Sequence, residues 1–308
     1  MPNSAWHLVG RIATLKSPRL TATVDLDRPS DGMQLETLCG QPIPGASLFG
    51  VQIEPADSAA AAASAAAAAS AVDSFVRGND LIATYAETAA RPFRTQIYWR
   101  LLDAERSRAF LADAPRVGDR FGHAAPTAPI EQLELVVSVQ TSQLDIETAL
   151  SVFTTLGHVE SWQMLAAMDD RLAPIAFASC CDQPTSPVPS DMAQTNRLAS
   201  AVEFRGQPMG SKARAVENPD CCLIRLAGAL PSYIEMVHPA DFRQTIFEWT
   251  SAAPPTVRLT HRLFAERLEK GVILRSRIRG LFVPHGNGSD FARNEHRRFA
   301  ASEPPLTA

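Results

Sequence analysis

Apolar and polar residues alternate with a period of two along much of the chain. Between Arg19 and Leu26 every second residue is apolar, and the same period recurs in Arg94–Leu101 and Leu133–Gln140. Successive side chains of a strand point to opposite faces, so these segments are predicted to be half-buried β-strands. Further predicted strands are His7–Ile12, Ala46–Glu54, Val72–Arg77, Ala173–Ser179, Leu198–Phe204, Cys221–Ala227, Pro231–His238 and Thr245–Trp249.

The end of the chain contains the longest β-type pattern. Two runs rich in β-forming residues, Thr256–Leu268 and Val272–Pro284, flank Glu269-Lys270-Gly271. Glycine tolerates the positive φ of tight turns, so these runs predict a long hairpin. Its register stays open, because a two-residue loop sets Glu266 opposite Arg275 and a three-residue loop sets Glu266 opposite Leu274.

These patterns predict an all-β fold. They amount to roughly fifteen or more strands with turn signals between them and no alternating helices, which disfavours a parallel α/β fold. Ser289-Asp290 followed by Phe291–Ala300 predicts one short capped helix. The 308 residues contain no clear linker, so we predict one large antiparallel β-sandwich domain, supersandwich-like, over residues 5–303 with a short C-terminal helix.

One segment interrupts the pattern. Eleven of the thirteen residues 59–71 are Ala. Alanine favours helix, but a short run without large apolar side chains has nothing to dock onto a core. We interpret residues 59–71 as an insertion that replaces a hairpin loop between two strands.

Charge is unevenly distributed along the chain. The net charge is −4, yet residues 256–299 contain ten Lys or Arg against four acidic residues, which gives +6 there and leaves −10 for the rest. A local basic excess favours an anionic partner or pairs with acidic neighbours. The acidic whole, without an aromatic RNA-binding motif, argues against a nucleic-acid partner.

Cysteine usage and the N-terminus point to a reducing compartment. The adjacent pairs Cys180-Cys181 and Cys221-Cys222 lack metal-ligand spacing, and in a strand each pair is expected to split between core and surface. We expect buried free thiols, no metal and no cofactor. Neither a signal peptide nor a run of 18 apolar residues is present, so we expect a soluble, cytoplasmic protein without membrane contact.

Strong catalytic signatures are absent from the sequence. It contains no phosphate-binding loop, dinucleotide fingerprint, H-E-x-x-H or G-x-S-x-G motif. The candidate catalytic and binding residues are therefore those on the polar faces of the predicted strands.

Two predicted strands carry polar faces that can bind a ligand. Arg94, Gln96, Tyr98 and Arg100 combine guanidinium groups, an amide and an aromatic ring, a set that can bind hydroxyls and stack on a sugar ring; alternatively, they form an ordinary outward face. Arg275, Arg277 and Arg279 form a second stripe. Like charges repel at alternate positions, so these three either pair with acids on neighbouring strands or bind an anionic group such as uronate, sulfate or phosphate.

A further candidate follows the predicted strand Pro231–His238. Tyr233 and Glu235 share one face, while His238 lies on the other with Asp241 and Arg243 close behind. A His tuned by a carboxylate can act as a general acid or base, although a His that bonds only to its own loop has the same pattern. A site around His238, Asp241 and His261 is a separate possibility.

In size, near-continuous strands, the Tyr233–His238 strand and the terminal runs Leu259–Glu269 and Val272–Val283, the chain resembles the galactose-mutarotase-like β-supersandwich proteins. That resemblance implies carbohydrate binding and, in its enzymes, a His acid and a Glu base at the anomeric carbon. His238 and Glu266 are the candidates chosen on chemistry.

The functional expectation is therefore a protein that binds carbohydrate or another small anionic ligand. It acts on sugars or acidic polysaccharides in an epimerase-, mutarotase- or lyase-like manner, or else serves as a non-catalytic structural or interaction module. The sequence leaves the oligomeric state open.

Overall fold

The computed structural model of the chain describes residues 4–54, 70–88, 91–102, 129–147, 149–168, 171–179, 212–216, 221–239, 242–250, 253–264, 267–285 and 288–302. The predicted strand Leu198–Phe204, the pair Cys180-Cys181 and most of the alanine-rich segment lie outside this set.

Ten of the described strands form an antiparallel sheet, sheet A. They are β1 (Trp6–Val9), β2 (Ile12–Lys16), β3 (Leu20–Asp25), β4 (Met33–Leu38), β5 (Gln41–Pro42), β6 (Ser47–Glu54), β12 (Ala149–Gly157), β15 (Lys212–Val216), β18 (Phe242–Thr250) and β19 (Thr256–Leu263). Their order is β1-β2-β3-β4-β6-β12-β19-β18-β15, and β5 pairs with β4.

Nine described strands form a second antiparallel sheet, sheet B. They are β7 (Asp73–Arg77), β8 (Asp80–Tyr85), β9 (Arg94–Leu102), β10 (Glu131–Gln140), β13 (Val159–Met168), β14 (Arg171–Ser179), β16 (Cys221–Leu226), β17 (Ser232–Val237) and β21 (Ile273–Val283). Their order is β14-β13-β16-β17-β21-β10-β9-β8-β7. The short strands β11 (Ile146–Glu147) and β20 (Arg267–Leu268) pair with each other.

The two sheets enclose the main hydrophobic core. Sheet A contributes residues such as Val152 and Leu259, and sheet B contributes Trp99, Leu135 and Ile278, all buried. Burial of each large apolar side chain contributes about 1.5–3 kcal/mol to the free energy of folding. The face of each sheet that points toward this core is its inner face, and the opposite face is its outer face.

One helix, α1 (Ser289–Ala301), packs on the outer face of sheet B. Phe291 and Phe299 from α1 bury Leu223, Ile234 and Met236 in a second, smaller core. Of the helices in the described ranges, none has the length and apolar character needed to cross a membrane.

The predicted all-β sandwich with a short C-terminal helix is confirmed. Cys221 and Cys222 point to opposite faces, as predicted, but the expected split between core and surface is wrong for this pair: Cys222 lies in the main core, and Cys221 is also buried because α1 covers it. The predicted Ser289-Asp290 cap is wrong. The N-cap residue is Gly288, which has no side chain to make a capping bond, and Ser289 and Asp290 are the first two residues of the helix.

The predicted terminal hairpin is wrong. The segment Thr256–Leu263 pairs with β12 and β18 in sheet A, whereas Ile273–Val283 pairs with β10 and β17 in sheet B. Between them the backbone has a positive φ of 55° at Phe264, and β20 pairs with β11. The chain therefore passes from one sheet to the other, and Glu266 lies outside the described residues.

Two further predictions about strand connections are wrong. The strands before and after the alanine-rich segment, β6 and β7, belong to different sheets, so that segment joins two sheets and does not replace a hairpin loop. The predicted strand His7–Ile12 contains the turn between β1 and β2, where Gly10 has a φ of 60°.

Candidate functional site

The two polar faces predicted from the sequence both lie on the outer face of sheet B. Strand β10 lies between β9 and β21, and its register aligns their polar residues in rows across the sheet. The rows are Arg94–Gln140–Ile273, Gln96–Ser138–Arg275, Tyr98–Val136–Arg277 and Arg100–Glu134–Arg279. We call these seven predicted residues of β9 and β21 the polar strip.

One end of the polar strip is a buried ion network. Glu134 accepts hydrogen bonds from Arg100 at 2.9 Å and from Arg279 at 2.8 Å, and its side chain is 3% exposed. Arg100 also pairs with Asp80 at 3.1 Å. The acidic partners that the sequence left open are therefore present, and they satisfy Arg100 and Arg279.

The middle of the strip is partly buried and internally bonded. The Tyr98 hydroxyl donates to Gln96 Oε1 at 2.8 Å, and the ring packs with Ile82 and Val136. Arg275 Nε donates to Ser138 Oγ at 3.0 Å. These residues shape the face, and their polar groups already have protein partners.

Arg277 is bonded to the end of α1. Its guanidinium donates to the carbonyl oxygen of Ser302 at 2.7 Å and to the Ser302 hydroxyl at 3.2 Å. Arg277 and Arg279 both lie over the Phe299 ring, at 5.1 and 4.5 Å from its centroid. A cation at a helix C-terminus is favourable because the helix dipole is negative there, so Arg277 anchors α1.

His238 lies on the same outer face, under α1. Its backbone N–H donates to the Arg277 carbonyl at 3.0 Å, and its ring meets the edge of Phe299 at 5.5 Å. Burial lowers the pKa of His238, the charges of Arg277 and His296 lower it further, and the backbone of Ala300 and Ser302 opposes this shift. The imidazole is therefore biased toward its neutral form.

The other end of the polar strip is open to solvent. A pocket of about 330 Å³ lies where the adjacent strands β8, β9, β10 and β21 begin or end. Its lining consists of Glu87, Arg94, Gln140, Thr141, Ser142, Lys270 and Gly271. We call this pocket the open end.

Glu87 holds the loop after β10 in place at the open end. It accepts hydrogen bonds from the Ser142 backbone N–H at 3.0 Å, the Ser142 hydroxyl at 2.8 Å and Gln143 Nε2 at 3.1 Å. The Ser142 N–H has the largest effect in lowering the pKa of Glu87, and the Ser142 hydroxyl and Gln143 add to it against partial burial. Glu87 is thus an ionised carboxylate at neutral pH.

The two cations of the open end differ from the rest of the polar strip. Arg94 and Lys270 are exposed, and neither side chain makes an ion pair or hydrogen bond with another residue in the described ranges. Arg94 was predicted from the sequence. Lys270 appeared there only as a turn residue, and Glu87, Gln140, Thr141 and Ser142 carried no local signal because they converge only through the pairing of β8, β9, β10 and β21.

A second polar group lies between the sheets. Glu235 Oε2 accepts hydrogen bonds from Tyr233 at 2.6 Å and Thr154 at 2.7 Å, and Oε1 lies 2.7 Å from His261 Nε2. His261 Nδ1 lies 2.8 Å from the Thr245 hydroxyl. We call these five residues the inter-sheet network, because Tyr233 and Glu235 belong to sheet B and the other three to sheet A.

The inter-sheet network is closed to solvent. Glu235 is 1% exposed and His261 is 4% exposed. Burial, reinforced by the Glu235 charge, raises the pKa of Tyr233 well above its usual value, so its hydroxyl remains a donor. A Cβ at Gly280 would approach the Tyr233 hydroxyl to 2.5 Å, so the glycine makes room for it. The network fastens the two sheets together.

The predicted site residues therefore occupy separate places. The polar strip and His238 share the outer face of sheet B, while Tyr233, Glu235 and His261 lie on the other side of that sheet. Glu266 and Asp241 fall outside the described residues, and the Arg243 side chain is not described. In the part of the chain that the structure describes, no group of three or more His, Cys, Asp or Glu side chains is arranged to hold a metal ion.

Neither a protein-family model nor a curated protein matches the chain. Solved structures do match it. The Slr1438 protein of Synechocystis sp. PCC 6803 is 7% identical, with 92% of this chain and 97% of that chain covered and a TM-score of 0.52.

Two other solved structures are more distant. A Klebsiella pneumoniae subsp. pneumoniae MGH 78578 protein described as a "putative aldose 1-epimerase" is 7% identical, with 98% and 90% of the two chains covered and a TM-score of 0.49. The α-galactosidase AgaB of glycoside hydrolase family 36 from Geobacillus stearothermophilus is 6% identical, with 90% and 40% covered and a TM-score of 0.37.

These similarities concern the fold. The chain shares the fold of the Synechocystis protein over nearly the full length of both.

Proposed function

We propose that this protein binds carbohydrate at the open end of the outer face of sheet B. The observation that carries the proposal is the lining of the pocket. Six of its residues carry a carboxylate, a guanidinium, an amide, two hydroxyls and an ammonium group, and the seventh is a glycine. The carboxylate and the hydroxyls already bond within the protein, so the side chains of Arg94, Gln140 and Lys270 are the groups available to a ligand. Such a lining suits a ligand covered in hydroxyl groups, because each ligand hydroxyl both donates and accepts hydrogen bonds.

The size of the open end supports the same proposal. Its volume of about 330 Å³ lies at the lower end of the range of about 300–1,000 Å³ that is common for small-molecule sites. A volume in this range suits a small molecule, and the polar groups at its rim would fix the orientation of that molecule.

Turnover of the bound sugar is the finer form of the proposal. It assigns His238 as the acid and Glu266 as the base in an epimerase-, mutarotase- or lyase-like reaction. The geometry of the described residues favours binding over turnover, since the His238 ring packs against Phe299 under α1 and does not line the open end. If His238→Gln leaves turnover of a responsive sugar unchanged, the acid role is removed.

Binding is tested by titrating a panel of neutral and acidic sugars and oligosaccharides by calorimetry. Gln140→Ala removes an amide from the pocket and should weaken binding of a responsive sugar about fivefold, equivalent to one neutral hydrogen bond of about 1 kcal/mol. Gln52→Ala on β6 removes an exposed amide from sheet A and should leave the affinity unchanged. A folded protein that responds to no sugar contradicts the proposal.

A non-catalytic structural or interaction module is the second candidate. The ion network favours it, because Glu134 and Asp80 already pair with Arg100 and Arg279 and leave those cations unavailable to a ligand. The calorimetric panel separates the two candidates, since the module gives no heat with any sugar.

A further inference from the structure

The charges of the open end are not balanced within the described structure. Arg94 and Lys270 contribute two positive charges and Glu87 contributes one negative charge. Glu87 directs its oxygens to Ser142 and Gln143. The two cations line the same pocket, and no other described acidic residue lines it with them.

This arrangement contrasts with the opposite end of the polar strip. There, Arg100 and Arg279 share Glu134 within 2.9 Å. The sequence places similar cations at both ends of β9 and β21, but only one end carries acidic partners on β8 and β10. The residue of β10 next to Arg94 is the neutral Gln140.

We propose that the open end selects an acidic sugar and holds the carboxylate of a uronate unit between Arg94 and Lys270. This inference rests on the proposed carbohydrate function and names its ligand class. The net charge of +1 in the lining matches one negative charge. Arginine presents a planar fork that fits the two oxygens of a carboxylate, and lysine adds a compact charge.

An apolar shelf beside the pocket extends this site beyond one sugar unit. This shelf is Ile273, which lies directly across from Gln140 on the same face and is 53% exposed. Sugar rings have apolar C–H faces that pack on such side chains. The site therefore accommodates an acidic oligosaccharide, with one uronate in the pocket and a neighbouring ring on the shelf.

Calorimetric titration with trigalacturonate and with its fully methyl-esterified form tests this inference, because the two ligands differ in charge while sharing the sugar backbone. The acid should bind at least tenfold more tightly than the ester. Arg94→Gln and Lys270→Gln should each reduce the affinity for the acid about tenfold, as expected for a hydrogen bond to a charged group, and should leave the ester nearly unaffected. Lys16→Gln, which removes an exposed cation from β2, is the matched control.

The possible results separate the inference from the function on which it rests. Equal affinity for acid and ester overturns the inference and leaves carbohydrate binding in place, whereas binding of neither ligand nor of any other sugar overturns both. Inorganic phosphate that displaces trigalacturonate with equal affinity identifies a general anion site and also overturns the inference. An affinity that falls from 50 to 500 mM NaCl for the acid alone supports it, because salt screens exposed charges.

Discussion

The inter-sheet network and the open end are both rich in polar side chains, but they differ in whether those groups already have partners. Glu235 accepts hydrogen bonds from two hydroxyls and contacts His261, and its side chain is out of reach of solvent. Arg94 and Lys270 are exposed beside an open pocket and have no described side-chain partner. A polar cluster whose groups are satisfied supports the fold, whereas unsatisfied and accessible groups are available to a ligand.

The largest loss of stability is expected when the centre of the inter-sheet network is removed. Glu235→Gln keeps the volume but removes the charge and one of the two acceptor oxygens, so either His261 or the two hydroxyls of Tyr233 and Thr154 face an amide group in place of an acceptor. We expect the free energy of unfolding to fall by about 3–5 kcal/mol, as for a broken buried pair. Urea denaturation measures this loss.

Glu36→Gln on β4 is the matched control for that experiment. Glu36 is exposed, and its substitution should change the stability by less than about 0.5 kcal/mol. If Glu235→Gln is as stable as this control, the network does not hold the sheets together.

A smaller loss is expected at the buried end of the polar strip. Glu134→Gln removes the charge shared by Arg100 and Arg279, and we expect about 2 kcal/mol of destabilisation because both arginines keep some contact with solvent. A double-mutant cycle with Arg279→Met should give a coupling energy of about 1 kcal/mol or more. Additive effects would show that the pair is not coupled.

His238 makes the stability of the protein depend on pH. Its pKa is lowered in the folded protein, first by burial and then by Arg277, so the unfolded chain takes up a proton more readily. Its contribution to stability is therefore present above the unfolded pKa of about 6.5 and is lost as the pH falls from there through the folded pKa. Urea midpoints of His238→Gln should vary less between pH 7 and 5 than those of the original protein; an unchanged slope would contradict this.

The smallest effects on stability should come from the open end. Arg94→Gln and Lys270→Gln remove exposed cations without a described partner, so each should change the free energy of unfolding by less than about 0.5 kcal/mol. The same substitutions should weaken binding of an acidic sugar. Thermal unfolding without ligand checks the first expectation, and a large loss there would assign these residues to the fold.

Local pattern was sufficient to predict which side chains share a face. Alternation correctly separated the two faces of β9, of β17 and of β21, and it separated Cys221 from Cys222. The predicted face holding Arg94, Gln96, Tyr98 and Arg100 exists because Ile97 and Trp99 are drawn into the core on the opposite side.

Pairing between distant strands was not readable from those patterns. The runs on either side of Lys270-Gly271 have the composition of a hairpin, yet they pair with strands of different sheets. The local sequence does not distinguish a hairpin from a chain that crosses between two sheets. The pocket at the open end could not be predicted from the sequence for a similar reason. Glu87, Gln140 and Lys270 are far apart in sequence and come together only because of the strand order β21-β10-β9-β8. His261 was found as a candidate, but its contact with Glu235 depends on the packing of one sheet on the other.

Under the proposed function, the open end binds the ligand and the inter-sheet network supports the fold. Hydrogen–deuterium exchange with and without saturating trigalacturonate tests this assignment directly. We expect slower exchange in peptides that cover residues 138–144 and 269–275, and unchanged exchange in peptides that cover residues 231–237 and 257–263. Protection confined to the latter two segments, or no protection at any position, would contradict the account.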